Sequence, residues 1–557
     1  MKTSFLLLFC FFLAHGFFLN AQTTDFEESG AGVTIMVHGW DPDGNQPAWM
    51  DAMANAIIQK SGGEGQIGTM TVSDALAVSY DPWNFDLSNQ NSGEMVVLIN
   101  WTEAANHLTT EIAAQEVAAA VVPGIYEGQN GQPPLAELPI HLIGHSRGGG
   151  MVYEIARLLG EQGIDVDQVT ALDPHPLTAN DPQPIFGNAT IDTPVKIYEN
   201  VLFADNYWQN IEFPMGSSVN GAYNRLWTSL EGGYHNETGY TYTVETDTYN
   251  FSDHLNIILA YHGTIDTATP VSNGEATMTQ SERDNWYNTY ENEGANTGFH
   301  FSRIITGNRK STDAPVADGD QIIDGYHNNA ILGGNGEREV LEWTNAVWPN
   351  ILTSYLTNDD GDLQPRLLDI SDGDVLNINF TYRLHASDAV ATFHIDTDRN
   401  PYNNNNAATI GNMNLSQTGS TITTATKEWT VSDLNKDTDY YLYIKIQNDA
   451  GTRYFYPSYQ FSVIDDGTPT RIVDKKENQL SVFPNPATDI ITINTGNIDP
   501  RDVKNITLTD INGKVVREKK DITTPSPQLN LSGLKPGLFI LSLSTETGSL
   551  SKIILKK

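Results

Sequence analysis

Cysteine is almost absent from this chain of 557 residues, since Cys10 is its one cysteine. Cys10 lies in an apolar run over residues 5–18 that follows Lys2, a pattern that predicts a signal peptide over residues 1–21. The mature protein is therefore expected to be exported and to hold no disulfide. No other stretch approaches the roughly 18 apolar residues that a transmembrane helix needs, so we expect no transmembrane segment in the mature protein.

Basic residues are also scarce. The chain has 31 Lys and Arg against 69 Asp and Glu, a net charge of −38, which disfavours nucleic acid and anionic membrane surfaces as partners. From Arg471 onward there are 13 basic and 9 acidic residues, which leaves 18 and 60 for the rest of the chain. This shift predicts a domain boundary near residue 470 in a multidomain protein.

The most informative stretch is a short apolar strand, residues 140–143, that leads into Gly-His-Ser-Arg-Gly (144–148). Apolar residues then recur at helical spacing from Met151 to Leu159, and Gly163 supplies a helix stop. Strand, Gly-x-Ser-x-Gly and helix in this order are typical of a nucleophile elbow, with Ser146 as the nucleophile. The alternative is a glycine-rich turn, because the bare motif also arises by chance.

A serine nucleophile needs a base and a carboxylate that orients the base. Asp173 ends the next predicted strand and is the first choice for the acid, although Asp-Pro also starts ordinary loops. His254, in the first turn of a helix predicted from an N-capping Ser252 to Tyr261, is the first choice for the base. His235 and, more weakly, His327 are alternatives in Gly/Asn-rich loops, while His262 at the helix end suits an interaction with the helix dipole.

These motifs, with Ile-Asn-Trp-Thr (99–102) and Ala-Leu-Asp-Pro (171–174), resemble the lipase branch of the α/β-hydrolase family. The resemblance covers about residues 30–265 and implies a Ser146, His254, Asp173 triad. Val-His-Gly-Trp (37–40) resembles the family's His-Gly-aromatic stretch, which implies an oxyanion hole made of the backbone amides of Trp40 and Arg147. The chain departs from the family at Asn100, where the family usually has aspartate, and at Arg147, where it often has Leu or Met. The departure at Arg147 argues against a purely apolar acyl pocket.

The predicted elements upstream are strands at residues 33–37, 75–79 and 95–101 and helices at residues 47–58 and 103–122, the last stopped by Pro123-Gly124. This alternation predicts parallel βα units. A further strand is predicted at residues 195–203, followed by aromatics at 204–209 that either line a cleft or, as we prefer, pack the rim. The overall prediction is an α/β fold class, an α/β-hydrolase domain followed by two all-β sandwich domains.

The predicted catalytic domain spans residues 22–357, and its last part, 263–357, is either a cap over the site or an edge extension. Short alternating strands predict a β-sandwich module over residues 360–464. Its stretch from Asp396 to Asn406 is rich in oxygen ligands that suit Ca²⁺, but without EF-hand spacing a solvated turn is the preferred interpretation. No other cofactor and no catalytic metal are expected.

A polar linker is predicted at residues 465–479. Residues 480–557 resemble the C-terminal sorting domain of type IX secretion in Bacteroidetes, through Ser-Val-Phe-Pro-Asn-Pro (481–486), Leu-Lys-Pro-Gly-Leu-Phe-Ile-Leu (534–541) and the final Lys-Ile-Ile-Leu-Lys-Lys. The resemblance implies export by the type IX machinery, a secreted or cell-surface location, and a small β-sandwich.

The function expected from these features is that of a secreted serine hydrolase, lipase-like or esterase-like, which cleaves carboxylic esters, including lipids, through an acyl-enzyme. Two alternatives stay open. One is a cell-surface binding protein or adhesin on a catalytically degenerate scaffold, and the other is a peptidase of the same fold.

Overall fold

The structure is a computed structural model of the chain. It describes residues 31–40, 46–81, 85–106, 112–181, 190–244, 246–287, 297–302, 338–344, 346–361, 364, 367–436, 438–457, 459–464, 481–483, 487, 490–494, 503–510, 514–520, 522, 527–535, 537–545 and 549–556. The predicted signal peptide, linker and His327 lie outside these residues. The chain divides into two compact units, the first formed mainly by residues 1–364 and 375–460 and the second mainly by residues 461–557.

The first unit contains an eight-stranded sheet in the order β3-β2-β4-β1-β5-β6-β7-β8. All neighbouring strands are parallel except β2 and β3. The strands are β1 (Val33–Val37), β2 (Gln66–Val72), β3 (Val78–Tyr80), β4 (Met95–Asn100), β5 (Ile140–His145), β6 (Val166–Leu172), β7 (Val201–Gln209) and β8 (Tyr223–Trp227).

Helices cover both faces of this sheet. They are α1 (Ala48–Lys60), α2 (Thr102–Asn106), α3 (Ala114–Tyr126), α4 (Arg147–Glu161), α5 (Ser252–Ile265) and α6 (Gln280–Trp286). One buried apolar cluster joins α3 and α4 to Val33, Ile35 and Val37 of β1, whereas Met36 belongs to the cluster with α1 and α5. Because successive strand residues point to opposite faces, a run of apolar residues such as β1 is buried on both sides.

The same unit continues into antiparallel strands. One sheet consists of Asn350–Asn358, Val375–Arg383 and Thr423–Thr430, and the other includes Ala389–Asp396, Ala408–Leu415, Asp439–Gln447 and Thr452–Phe455. The buried rings of Phe380 and Phe393, one from each sheet, lie 5.4 Å apart between centroids. The two sheets therefore pack face to face, which agrees with the alternating burial along Ala389–Asp396 and along the first part of Val375–Arg383.

The second unit is also built of strands. Leu367–Ile370 is the neighbour of Gln460–Val463. Ser481–Phe483, Ile490–Asn494 and Gln528–Asn530 form one sheet of their own, and Val515–Lys519, Val503–Asp510, Gly537–Thr545 and Ser549–Lys556 form another. Ile493, Leu508, Leu541 and Ile554 belong to a common apolar core. Among the described residues, no helix is long and apolar enough to cross a membrane.

Several element boundaries differ from the prediction. The strand expected at residues 75–79 is the short β3, and β2 before it was not predicted. The helix expected at residues 103–122 is divided into α2 and α3, and α3 continues through Pro123 to Tyr126, so this proline does not end it.

The strand expected at residues 195–203 is β7, which begins at Val201 and ends at Gln209. The stretch 204–209 is therefore part of the strand. Tyr207 is fully buried within the core rather than exposed in a cleft. The preference for packing over a cleft was the better interpretation of that stretch.

The predicted fold class is wrong for this chain. Strands make up 39% and helices 20% of the structure, so the chain is mostly β and does not support assignment to the α/β-hydrolase fold class. The prediction took the class of the chain from its first part, where strands and helices alternate as far as α6. From Asn350 onward the described elements are all strands.

Candidate functional site

Ser146 occupies the sharp turn between β5 and α4. Its backbone angles φ and ψ, 57° and −124°, lie in a region that residues other than glycine rarely adopt. The backbone holds this conformation on both sides, because the Ser146 amide donates to the Leu172 carbonyl and the Ser146 carbonyl accepts from the amides of Gly149 and His175, each at 2.9 Å. Such strain persists only where the surroundings over-determine it, which is common at functional sites.

Close backbone approaches explain the glycines of this turn. A Cβ on Gly144 would lie 2.2 Å from the Gly148 carbonyl oxygen, and one on Gly148 would lie 2.4 Å from the His38 carbonyl oxygen. A Cβ on Gly39 would lie 2.5 Å from the Ser146 Cβ. The segment after β1 is thus packed directly against the serine.

Asp173 follows β6 and is fully buried. Its Oδ1 accepts hydrogen bonds from the backbone amides of Gln209 and Gly216, at 3.0 and 2.9 Å. Its Oδ2 accepts from Gln209 Nε2 at 3.0 Å and from His254 Nδ1 at 2.6 Å. Burial raises the pKa of the Asp173 carboxyl to about 7, and the hydrogen bonds from Gln209 and Gly216 oppose that rise.

His254 lies in the first turn of α5, whose N-cap is Phe251, one residue before the predicted Ser252. Its imidazole is buried, and burial, together with the nearby His175, holds its pKa well below the usual range. The imidazole is therefore neutral at pH 7. Since Nδ1 faces the Asp173 carboxylate, Nδ1 carries the proton and Nε2 is the basic nitrogen.

Ser146 and His254 line the same cavity, whose volume is about 280 Å³. Trp40 and Gly39 line it as well, whereas Arg147 does not. The three predicted triad residues thus come from the ends of β5 and β6 and from the start of α5. Trp40 and Arg147, the residues predicted to supply oxyanion amides, belong to the segment packed on Ser146 and to the first position of α4.

The Arg147 side chain turns away from the cavity. Its guanidinium forms a buried, bidentate pair with Asp192, at 2.6 and 2.8 Å, and donates to the Ile112 carbonyl at 3.0 Å. It also lies over the Trp101 ring. The departure from Leu or Met after the serine therefore serves loop packing and adds no positive charge to the cavity wall.

The alternative histidines have other partners. His235 Nε2 bonds to Asp253 Oδ1 at 2.9 Å and does not line the cavity. His262 is buried in the last turn of α5, and burial lowers its pKa to about 4, so it is neutral and lacks the charge that a helix dipole would attract.

Three residues around the site were not predicted. His145 lines the cavity, its ring centroid lies 4.4 Å from that of His254, and its Nε2 donates to the His254 carbonyl at 3.3 Å. Gln209 holds Asp173, and Glu275 lines the cavity. His145 lies inside the elbow motif, so the sequence offers a signal for it. Gln209 and Glu275 are far from the motif in sequence, and no local sequence pattern marks them.

The stretch 263–357 packs as an extension of the core where it is described. Trp286, Tyr287, Phe299 and Phe301 are buried in the cluster formed with α1 and α5. Glu275 is the residue of this stretch that lines the cavity among those described.

The oxygen-rich turn after Asp396 is occupied by protein donors. Asp398 Oδ2 accepts from Asn403 and Asn405, and Asp396 Oδ2 accepts from Tyr456 at 2.7 Å. Asn400 Nδ2 reaches the carbonyls of residues 87 and 90 in the segment before β4. These contacts are those of a structural turn, and among the described residues no group of acidic, histidine or cysteine side chains is arranged to hold a metal.

A family model, the secretion system C-terminal sorting domain, matches residues 481–557. The C-terminal part of the chain is this sorting domain. It marks the protein as a substrate of type IX secretion, which delivers it to the extracellular space or the cell surface. This confirms the expected secreted or cell-surface location and the expected interaction with the secretion machinery.

A comparison with curated protein sequences finds no match. Among solved structures, the chain is similar to the C-terminal domain of wzt, with 15% identity, 23% of this chain and 80% of that chain covered, and a TM-score of 0.17. It is also similar to the BSP domain of a biofilm associated protein, with 6% identity, coverage of 37% and 51%, and a TM-score of 0.14. The Salmonella enterica SafA pilin in complex with the SafB chaperone matches with 9% identity, coverage of 36% and 96%, and a TM-score of 0.15. Similarities at this level assign no function.

Proposed function

We propose that this exported protein is a serine hydrolase that cleaves carboxylic esters. The observation that supports this proposal most strongly is the buried hydrogen bond of 2.6 Å from His254 Nδ1 to Asp173, made by a histidine that shares its cavity with Ser146. Such a bond fixes the tautomer in which Nε2 is the base.

In the proposed reaction, Ser146 Oγ attacks the ester carbonyl carbon while His254 Nε2 takes the hydroxyl proton. The amides of Trp40 and Arg147 donate to the oxyanion of the tetrahedral intermediate. Collapse of the intermediate breaks the ester bond, and His254 returns the proton to the departing alcohol. Water then attacks the acyl-enzyme by the same steps and releases the acid.

The electrostatics suit this cycle. His254 rests neutral, so it is ready to accept a proton. Once it is protonated, the buried Asp173 carboxylate stabilises the imidazolium, and the donors from Gln209 and Gly216 keep that carboxylate in place. A charge pair formed transiently away from water is stabilised more strongly than one in solvent.

A fluorophosphonate probe tests the proposal, because it labels only an activated serine. The full chain should be labelled, and Ser146→Ala should not be. His254→Ala should lose labelling and turnover of a small activated ester as fully as Ser146→Ala, and the double variant should be no worse, since triad members act as a unit.

The matched control is His235→Ala, which removes the histidine that bonds to Asp253 of α5. It should stay within about tenfold of the unaltered protein, because groups outside the triad contribute smaller effects. A soluble, folded protein that neither labels nor hydrolyses esters would contradict the proposal.

The second candidate function is a cell-surface binding protein. The sorting domain and the two face-to-face antiparallel sheets after Asn350 favour it, and export alone does not distinguish it from an enzyme. A folded protein that resists the probe but binds cell-surface material would support this candidate. Turnover of amides rather than esters would instead indicate a peptidase.

A further inference from the structure

One wall of the cavity beside Ser146 is aromatic. Trp40, Tyr242 and Phe251 line it and contact one another, with ring centroid distances of 5.7 Å from Trp40 to Tyr242, 5.9 Å from Trp40 to Phe251 and 5.2 Å from Tyr242 to Phe251. The rings meet edge to face or tilted, and edge to face is an arrangement that aromatic pairs prefer. The three side chains therefore form one packed surface, which we call the aromatic wall.

The aromatic wall begins at the candidate nucleophile. Trp40 comes directly after Gly39, which packs against Ser146, and Phe251 is the N-cap of the helix that carries His254. Phe251 is buried, whereas Trp40 and Tyr242 are only partly buried, so part of each of these two rings remains accessible. A group attached to an ester at Ser146 that enters this cavity therefore meets these rings.

The rest of the cavity lining is poor in branched aliphatic side chains. Trp49 and Tyr240 also line the cavity, and Leu255 is the one leucine, isoleucine or valine among the described residues that do so. The cavity has a volume of about 280 Å³. Since an apolar cavity of about 150 Å³ is enough to hold benzene, this space fits one six-membered ring together with the ester group that carries it.

We propose that the protein acts on esters that carry a planar aromatic ring in the part of the substrate that occupies this cavity. The proposal rests on the proposed ester hydrolysis and adds its substrate class. A bound aromatic ring meets the aromatic wall as its rings meet one another, and it gains an attraction that a saturated ring lacks. Burial of apolar surface alone gives the opposite order, because a cyclohexyl group has more apolar surface than a phenyl group.

Two pairs of uncharged esters test the proposal, since the members of each pair differ only in whether the ring is aromatic. Methyl phenylacetate is compared with methyl cyclohexylacetate for the acyl part, and benzyl acetate with cyclohexylmethyl acetate for the alcohol part. Each kcat/KM is divided by the rate constant for hydrolysis of the same ester by hydroxide, so that intrinsic reactivity cancels. In at least one pair the full chain should favour the aromatic ester by about fivefold, or about 1 kcal/mol at 1.36 kcal/mol per tenfold.

Variants of Tyr242 test whether the ring itself causes this preference. Tyr242→Leu should bring the ratio towards one, and Tyr242→Phe, which keeps the ring, should retain it. Tyr249→Leu is the matched control, because it makes the same change at the residue that pairs with Tyr242 on the neighbouring strand and that lies outside the described cavity lining. It should leave the ratio unchanged, and an unchanged ratio in Tyr242→Leu would contradict the role of the aromatic wall.

Competition with the fluorophosphonate probe reports binding even where turnover is slow. The alcohol 2-phenylethanol should slow the labelling of Ser146 at about a fivefold lower concentration than 2-cyclohexylethanol. A labelled, active protein that shows no preference for the aromatic compound in either assay overturns the substrate class and leaves the hydrolase proposal standing. A protein that is not labelled at all overturns both.

Discussion

Replacing Asp173 by Asn tests the candidate site most directly, because it changes one charge and hardly any volume. The amide oxygen can take the place of Oδ1 and keep the hydrogen bonds from the backbone amides of Gln209 and Gly216. The new NH₂ group then faces Gln209 Nε2 and His254 Nδ1. Gln209 Nε2 has other acceptors, the carbonyls of residues 212 and 214 at 2.9 and 2.7 Å, so it tolerates the change.

His254 has no such alternative. To accept from the new amide, its Nδ1 must lose its proton, and the proton then resides on Nε2, the nitrogen that would receive the Ser146 proton. The wrong tautomer is expected to lower kcat by roughly 10⁴, or about 5.4 kcal/mol at 1.36 kcal/mol per tenfold. The fold should be retained, because each remaining buried donor keeps an acceptor.

The assay is kcat with a small activated ester, together with the rate of fluorophosphonate labelling and the thermal unfolding temperature. Asp253→Asn is the matched control, since it alters a different His-Asp pair, with Asp253 Oδ1 at 2.9 Å from His235 Nε2, and it should stay within about tenfold. In the unaltered protein, activity should fall as the pH drops through about 7, where the Asp173 carboxyl takes up a proton. Near-normal turnover by Asp173→Asn with an inactive Asp253→Asn would refute the assignment.

Three further changes address the elbow, the packing and the export signal. Gly39→Ala places a Cβ 2.5 Å from the Ser146 Cβ and 2.9 Å from its Oγ, so probe labelling should slow by about 10² while far-ultraviolet circular dichroism is unchanged. Arg383→Ala leaves the buried Asp165 without its charged partner and should cost about 3–5 kcal/mol in denaturant unfolding, and a loss under 1 kcal/mol would argue against this contact. Deletion of residues 481–557 should retain the protein inside the cell envelope with normal specific activity, and normal surface delivery of the truncated protein would contradict the role of that domain.

The elbow was predictable because its causes are local. A buried strand, the glycines at two of the three close approaches and an amphipathic helix all lie within residues 140–163, and Gly163 has the positive φ of a helix stop. His254 was chosen by chain order and by its place at a helix start, and the structure brings it to Asp173. Its tautomer depends on Asp173, and Asp173 is held by Gln209 and Gly216, whose approach arises from folding at long range.

The fold class failed for a related reason. The spacing of apolar residues predicts many of the helices and strands correctly. Fold class, however, is a property of the whole chain, and the strand-rich part after Asn350 outweighs the helical part. Helix stops were also overvalued, since Pro123 is accommodated within α3. A proline removes one hydrogen bond, and packing of the buried face of a helix can offset that loss.

The structure also shows a physical connection between the parts of the chain on either side of the predicted boundary near residue 357. Asp165 and Asp167 lie at the start of β6, where Arg383 and Arg453 from the antiparallel strands bind them, Arg453 at 3.1 Å from Asp167. Asp173 lies at the other end of the same strand, about 23 Å away for seven residues at 3.3 Å each. The antiparallel region therefore anchors one end of the strand that presents the candidate acid at the other. Since a strand fixed at one end loses positional freedom at the other, removal of that region should loosen Asp173 as well as lower stability.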